Sequence, residues 1–419
     1  MKLYQLWKML FGYLGRSPNV WKDLKPERIA QLLSRNLETI TLDQEGINDN
    51  KATRELWRQS ASDDLDTVFL RFLRARKWKT TDAFAMLLAW MRWRDEFGVE
   101  QVLRQGEAGI EENLLRSGKV YTWGEDREGR VVFYLRARLH DKYKQSLAQS
   151  IRHMVWTLET GRWLRRHDEQ LVTVVVDLQR VTLASLELPL VKYLLLCLQD
   201  YFPEILGSCL IINAPWMFWS FWTLVKGLLD PVVAAKISFI KKEELTDYID
   251  PHCIPRDFSG GLSPFKFHYP EDPNAPAGPT CEACDLEVSS DQARELAERF
   301  VQITWEISGE PFGSTKHLEL LGERDEIKHK MRDTYHELLS PVLPRNMYHR
   351  WGVLDDAGRI DWGRFTLPTD TAVSDSMSGT TTSASLVSDR ERNTPPSILT
   401  KDSTISQTSD RPAPDHYGE

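Results

Sequence analysis

The chain has 419 residues, 41% of them apolar and 27% charged, with 15 Trp, 16 Phe and 12 Tyr. Such a composition buries a sizeable core and excludes wholesale disorder, and the length suits roughly two to three folded units. Fifty-three basic against 61 acidic residues leave a net charge of −8, which argues against a general nucleic-acid binder, while five cysteines make no disulfide framework and suit a reducing compartment.

Leu3, Leu6, Trp7, Leu10, Phe11 and Leu14 recur at helical spacing. They predict one amphipathic helix, packed in a core or lying shallowly on a membrane; the stretch is too short to span a bilayer and lacks a signal-peptide cleavage pattern. Residues 26–60 read as helical with one polar interruption. Two helices follow within 65–97, DTVFLRFLRARKW and then TTDAFAMLLAWMRWRDEF, with Thr81 or Asp82 as the cap of the second. KVYTW and VVFYL around the turn GEDREGR signal a hairpin. Beyond it come a helix over about 144–167, the run LVTVVVDL, a helix at LPLVKYLLLCLQDYF, the strand SCLIINA, a helix at WMFWSFWTLVKGLL and the strand KISFI. Continuous apolar strands separated by helices predict a mostly parallel sheet covered on both faces. Ile205–Val225 carries 21 residues without a charge, but Gly207, Asn213 and Pro215 interrupt it, so it reads as strand, turn and helix.

After PRDFSGG the composition shifts: PEDPNAPAGPT is a Pro/Gly linker, and a second helical block covers about 290–350. From Thr366 onward 20 of the last 54 residues are Ser or Thr, which predicts a disordered, phosphorylatable tail. Catalytic signatures are missing: no G-x-S-x-G elbow, no G-x-x-x-x-G-K-[ST] loop and no G-x-G-x-x-G after a strand. His252, Cys253 and Arg256 are too closely spaced for a phosphatase loop, and Cys281-x-x-Cys284 lacks the second pair a structural zinc wants. His153 and His167 accompany arginines on a helix, where a solvated face is expected.

Charges beside apolar runs stand out instead. Arg71, Arg74, Arg76, Lys77 and Lys79 gather at one helix end, where cations are favourable in themselves. Glu204 follows Pro203 ahead of a buried strand, and Lys236 opens KISFI; such charges are commonly snorkelled or paired.

FLRFLRARKW, LQDYFPEILG, IINAPWMF, LLDPVVAAKI and IPRDFSGG occur in that order across Leu65–Lys266. This set resembles the CRAL-TRIO lipid-binding family, in its fungal phosphatidylinositol transfer protein branch. PRNMYHRWGVLDDAGRIDW in the C-terminal block is similar to an extension in one fungal subgroup. The resemblance implies an α/β fold: a helical N-terminal subdomain, then a mostly parallel-sheet lipid-binding lobe, with a helical C-terminal extension. The expected boundaries are an N-terminal helical extension over 1–60, the helical subdomain over 61–110 and the lobe over 111–268; a linker over 269–289, the extension over 290–365 and the tail over 366–419 follow.

By the same resemblance, Arg76, Glu204 and Lys236 hold the phosphatidylinositol headgroup. Arg and Lys would neutralise the phosphate, and the carboxylate would accept inositol hydroxyls. The helix after I-N-A-P would be a membrane gate carrying Trp216, Phe218, Trp219, Phe221 and Trp222, because a helix apolar all round must be buried or meet lipid. Val172 and Val174 replace hydroxyl residues that serve phosphatidylcholine in the type member, and Val233 replaces another hydroxyl residue. Phosphatidylcholine is therefore disfavoured, and a more apolar ligand from the sterol pathway is the alternative. The implied protein is a cytoplasmic, non-enzymatic carrier without cofactor or metal. It would touch intracellular membranes transiently and present phosphatidylinositol to lipid-kinase pathways; a scaffold without transfer activity is the other reading.

Overall fold

A computed structural model of the chain describes residues 2–13, 56–166, 171–258, 261–271, 291–339 and 343–364. The expectations for residues 26–55, for His167, for Cys281 and Cys284 and for the Ser/Thr tail lie outside these. Five strands, β1 (Val120–Glu125), β2 (Val131–Arg136), β3 (Val172–Asp177), β4 (Leu206–Ile212) and β5 (Ile237–Phe239), lie in the order β1-β2-β3-β4-β5. β1 and β2 are the expected antiparallel hairpin, and the other neighbours run parallel.

The helices follow the expected order: α1 (Lys2–Tyr13), α2 (Leu65–Ala75), α3 (Thr80–Phe97), α4 (Val99–Gln105) and α5 (Glu112–Ser117) precede the sheet. α6 (Leu147–Trp163), α7 (Leu188–Leu196) and α8 (Phe218–Lys226) connect its parallel strands, α9 (Pro231–Ala234) leads into β5, and α10 (Leu245–Tyr248) follows it. α11 (Asp291–Gly309), α12 (Thr315–Leu339) and α13 (Met347–Arg350) close the chain. Asp64 caps α2 by accepting the Asp66 N–H at 3.0 Å, which satisfies one of the helix's free donors. α3 starts one residue before its expected caps: Lys79 sits at the N-cap, and no side chain bonds there. Gly98 ends α3 with φ +72°, a left-handed conformation that glycine adopts without a Cβ penalty.

Successive connections that advance one strand at a time in one direction, each right-handed, lay their helices on one sheet face. α6 occupies that face beside β2, where a Cβ on Gly161 would come within 2.2 Å of the Phe133 ring, so only glycine permits the approach. α8 covers the same face farther along, over β5. The opposite face is dry: Val132, Tyr134, Val175, Leu210 and Ile212 pack with Ile254, Phe258 and Phe265 and with Tyr348 and Trp351 from the C-terminal block. At the sheet edge the Tyr348 hydroxyl accepts the Thr122 N–H at 2.9 Å.

α1 belongs to a core. Leu6, Trp7, Leu10 and Phe11 are fully buried, with Trp7 stacked on Phe69 at 3.9 Å and edge-on to Phe300 of α11 at 5.0 Å. The Trp7 indole N–H donates to Asp66 at 2.8 Å, and Asp66 also accepts Arg324 of α12. N-terminal and C-terminal helices thus share one interior.

The solvated face expected for His153 is corrected: the ring is 2% exposed, because α6 turns it inward beside Trp156. Burial, with a smaller contribution from Lys119, lowers its imidazole to about 3 from 6.5. The ring stays neutral in the fold, while the unfolded chain takes up the proton near 6.5. Its stability contribution is therefore complete above that value and falls as the pH drops toward 3. Replacing His153 by Phe should flatten the fall of thermal stability between about pH 6 and pH 5 by up to about 1.4 kcal/mol per pH unit. Parallel melting curves for variant and wild type across that range would show that the ring charges in the fold.

Candidate functional site

Alternate residues set two different faces on each strand. On the dry face Val175 and Leu210 have no exposure and Ile212 has 1%. On the other, Val174, Val176, Cys209, Ile237 and Phe239 are all half-buried, although they lie inside the fold. Val174 pairs with Cys209, Cys209 with Ile237, and Ile211 with Phe239, so these side chains form one continuous apolar floor.

α8 lies over this floor. Phe218 is buried against it and Trp222 meets Phe239 edge-on at 5.0 Å, whereas Trp219 reaches Phe239 at 4.9 Å while 48% exposed. Trp216, in the preceding turn, is 87% exposed, and Phe221 is half-buried. The five aromatic residues expected to form one gate therefore divide: Phe218 points in, Trp216 out, and the rest straddle. Leu224, Leu228 and Val232 add exposed apolar surface around the helix. No helix among the described residues is long and apolar enough to cross a membrane.

Polar side chains lie where β4 and β5 begin. α7 continues into a π-helical turn, Cys197–Tyr201, and three residues later Glu204 takes φ +58°. A non-glycine residue held left-handed costs about 1–3 kcal/mol, and π turns and such strain concentrate at ligand sites. Lys236 stands just before β5, fixed by its carbonyl accepting the Cys209 N–H at 2.8 Å. Its Nζ lies 3.6 Å from Glu204 Oε2, both side chains about one quarter exposed.

Arg76 takes a different partner. It ends α2, and its Nη2 donates to Asp200 Oδ1 at 3.1 Å rather than to Glu204. Two charged pairs thus converge on the segment 200–204. Asp200 lies inside LQDYFPEILG, yet nothing in its spacing marks it as the carboxylate that Arg76 meets. Of the basic cluster, Arg74, Lys77 and Lys79 are exposed; Arg71 is the exception, buried against Asp63. Lys77 and Trp78 continue the turn with φ +50° and +63°. Val172 is buried at the start of β3, Val174 lies on the floor, and Val233 is half-buried in α9. Burial raises the Cys253 thiol, opposite to what a nucleophile needs.

A model described as the CRAL/TRIO domain matches residues 115–260, and one described as the CRAL/TRIO N-terminal domain matches residues 25–89. A CRAL-TRIO domain-containing protein of Schizosaccharomyces pombe is 30% identical over 310 residues, covering 71% of this chain and 68% of that protein. Phosphatidylinositol transfer protein CSR1 of Eremothecium gossypii is 30% identical over 314 residues, 72% of this chain and 71% of that one. Phosphatidylinositol transfer protein PDR17 of Saccharomyces cerevisiae is 27% identical over 213 residues, 48% of this chain and 59% of its own. The chain belongs to the CRAL-TRIO lipid-binding family, whose members matched here include named phosphatidylinositol transfer proteins.

Single substitutions separate the inner and outer sides of α8. Phe218→Ala should lower folding stability by about 3–5 kcal/mol, the cost of emptying a core position. Trp216→Ala should change it by less than about 0.5 kcal/mol, as expected for an exposed side chain. Denaturant unfolding measures both, and equal losses would place Trp216 in the core.

Proposed function

We propose that this protein binds one phosphatidylinositol over the floor of β3–β5, holds its headgroup with Arg76, Glu204 and Lys236, and exchanges it between membranes without catalysis. The observation that carries this reading is the half-buried apolar floor beneath α8, with the Glu204–Lys236 pair at its strand ends. Acyl chains would cover side chains that the fold leaves partly open, each fully buried large one worth about 1.5–3 kcal/mol. Lys236 and Arg76 would meet the phosphate and Glu204 the inositol hydroxyls, as charge-assisted hydrogen bonds. Trp216 and Trp219, exposed on the outer side of α8, suit the water–lipid interface during exchange. In this reading the protein works in the cytoplasm, contacts intracellular membranes transiently and presents phosphatidylinositol to lipid kinases.

A second reading rests on Val172 and Val174: their methyl groups offer no donor to a buried phosphate, which is costly to leave unbonded. The companion ligand is then a more apolar lipid rather than phosphatidylcholine. Mass spectrometry of lipids extracted from the purified protein identifies both ligands, and phosphatidylcholine as the major species would reverse this choice.

Vesicle transfer tests the headgroup assignment. Lys236→Ala should lose roughly ten- to a hundredfold in phosphatidylinositol transfer, from about 1.5–3 kcal/mol of lost contact, with its fold intact. Glu204→Gly separates ligand binding from architecture: it removes the carboxylate and relieves the left-handed strain. Its melting temperature should hold or rise while transfer falls. Normal phosphatidylinositol transfer by both well-folded variants would remove these residues from the site.

The Trp216→Ala, Trp219→Ala double variant tests the membrane contact. It should slow exchange tens-fold with little loss of stability, and unchanged exchange would move docking elsewhere.

A further inference from the structure

A second polar constellation, made of residues other than Glu204 and Lys236, gathers around Asp63. Asp63, the residue before the α2 cap, is 5% exposed and is met by three guanidiniums. Arg162 Nε donates to its Oδ2 at 2.7 Å, Arg165 Nη2 to its Oδ1 at 2.5 Å, and Arg71 Nη2 approaches Oδ1 only to 3.5 Å. Arg162 also reaches Glu159, which is held from its other side by Arg94 at 2.5 Å. Among the described residues the long Asp63 contact is the one hydrogen bond Arg71 makes, although its side chain is 8% exposed.

Arg71, Arg162 and Arg165 line one cavity. Its remaining walls, among them Phe72, Trp90, Phe133, Leu158, Val172 and Pro203, are largely apolar. The space open to water-sized atoms is about 30 Å³, room for about two waters, which one compact oxyanion would replace. Electrostatics agrees with the geometry. Burial lowers the Arg71 guanidinium to about 10, Asp63 opposes that, and the neighbouring Arg165 and Arg162 add to it. Crowded cations of this kind are relieved by an incoming negative charge.

We propose that this cavity is an oxyanion site, in which Arg71, with Arg162 and Arg165 beside it, receives a phosphate group borne by a lipid or free in solution. Planar guanidiniums offer paired donors to phosphate oxygens, and Arg71 gives up little by turning from a 3.5 Å contact. Pro203, in the cavity wall, is the chain neighbour of Glu204. The site does not depend on phosphatidylinositol binding at Glu204 and Lys236.

The test is thermal unfolding of the lipid-free protein in chloride and at matched ionic strength in two probes, inorganic phosphate and dihexanoyl phosphatidic acid. Dihexanoyl phosphatidylcholine serves as the control without net charge. Wild type should gain at least about 2 °C with one or both anionic probes at saturation. A gain with both means a free oxyanion suffices; a gain with phosphatidic acid alone means a lipid headgroup is required. Arg71→Met should lose that gain, while Lys236→Ala should keep it, placing the anion at the arginines rather than at Lys236. Should the Met variant not fold, Arg71→Lys keeps the charge without the fork and should lose at least half the gain. No gain in wild type with either probe, equal gains in wild type and the Arg71 variant, or loss of the gain in Lys236→Ala would overturn the proposal.

Discussion

The handedness of parallel-strand crossovers is the constraint on which the rest of this structure depends. Each connection from β2 to β5 advances one strand in the same direction, so its helix must return over the same face. Three helices cannot cover that face evenly, because α6 packs tightly at Phe133 while α8 rests on β5. Between them the floor of Val174, Val176 and Cys209 stays partly open. The other face, free of crossovers, is sealed by segments from farther along the chain. An uncovered interior here follows from topology rather than from poor packing.

A second requirement joins the helical N-terminal part to the lobe. Burial alone would raise the Asp63 carboxyl, but Arg162, Arg165 and Arg71 hold it well below the usual carboxylate range. Arg162 lies at the end of α6, Arg165 just beyond it and Arg71 in α2, so the carboxylate ties the lobe's longest helix to the helices before it. A buried charge of this kind is strongly destabilising when its partner is removed, and it specifies how the parts meet more than it adds stability. Trp7, Asp66 and Arg324 make a comparable three-way contact between α1, α2 and α12.

Much of this architecture was legible in the sequence, because it is local or periodic. Helical spacing in residues 1–14 located α1, β-branched runs located β3 and β4, and the two runs around GEDREGR located the hairpin. The motif order located Glu204 and Lys236, which do meet. Illegible features were those decided by distant partners. Arg71 shares a run of basic residues with Arg74 and Arg76, and only the Asp63 contact separates it from a solvated face. His153 sits among arginines in sequence, yet the rotation of α6 about its axis turns it inward. Asp200 became visible only when the π turn at the end of α7 brought it to Arg76. Periodicity tells which side chains are apolar, whereas the neutralising partner of a charge can be a hundred positions away, as Asp63 is for Arg162 at 99.

The two interiors are each built from both sides of the Pro/Gly stretch PEDPNAPAGPT. Trp7 and Phe69 pack with Phe300 and Met331, and Tyr121 and Trp123 pack with Tyr348 and Trp351. The halves on either side of that stretch would hold together as a noncovalent pair, with affinity set by the same apolar surface that stabilises the intact chain. Made as separate polypeptides they would each expose their share of both cores, so their solubility would depend on meeting one another. The chain is continuous in sequence, but its stability is that of a complex.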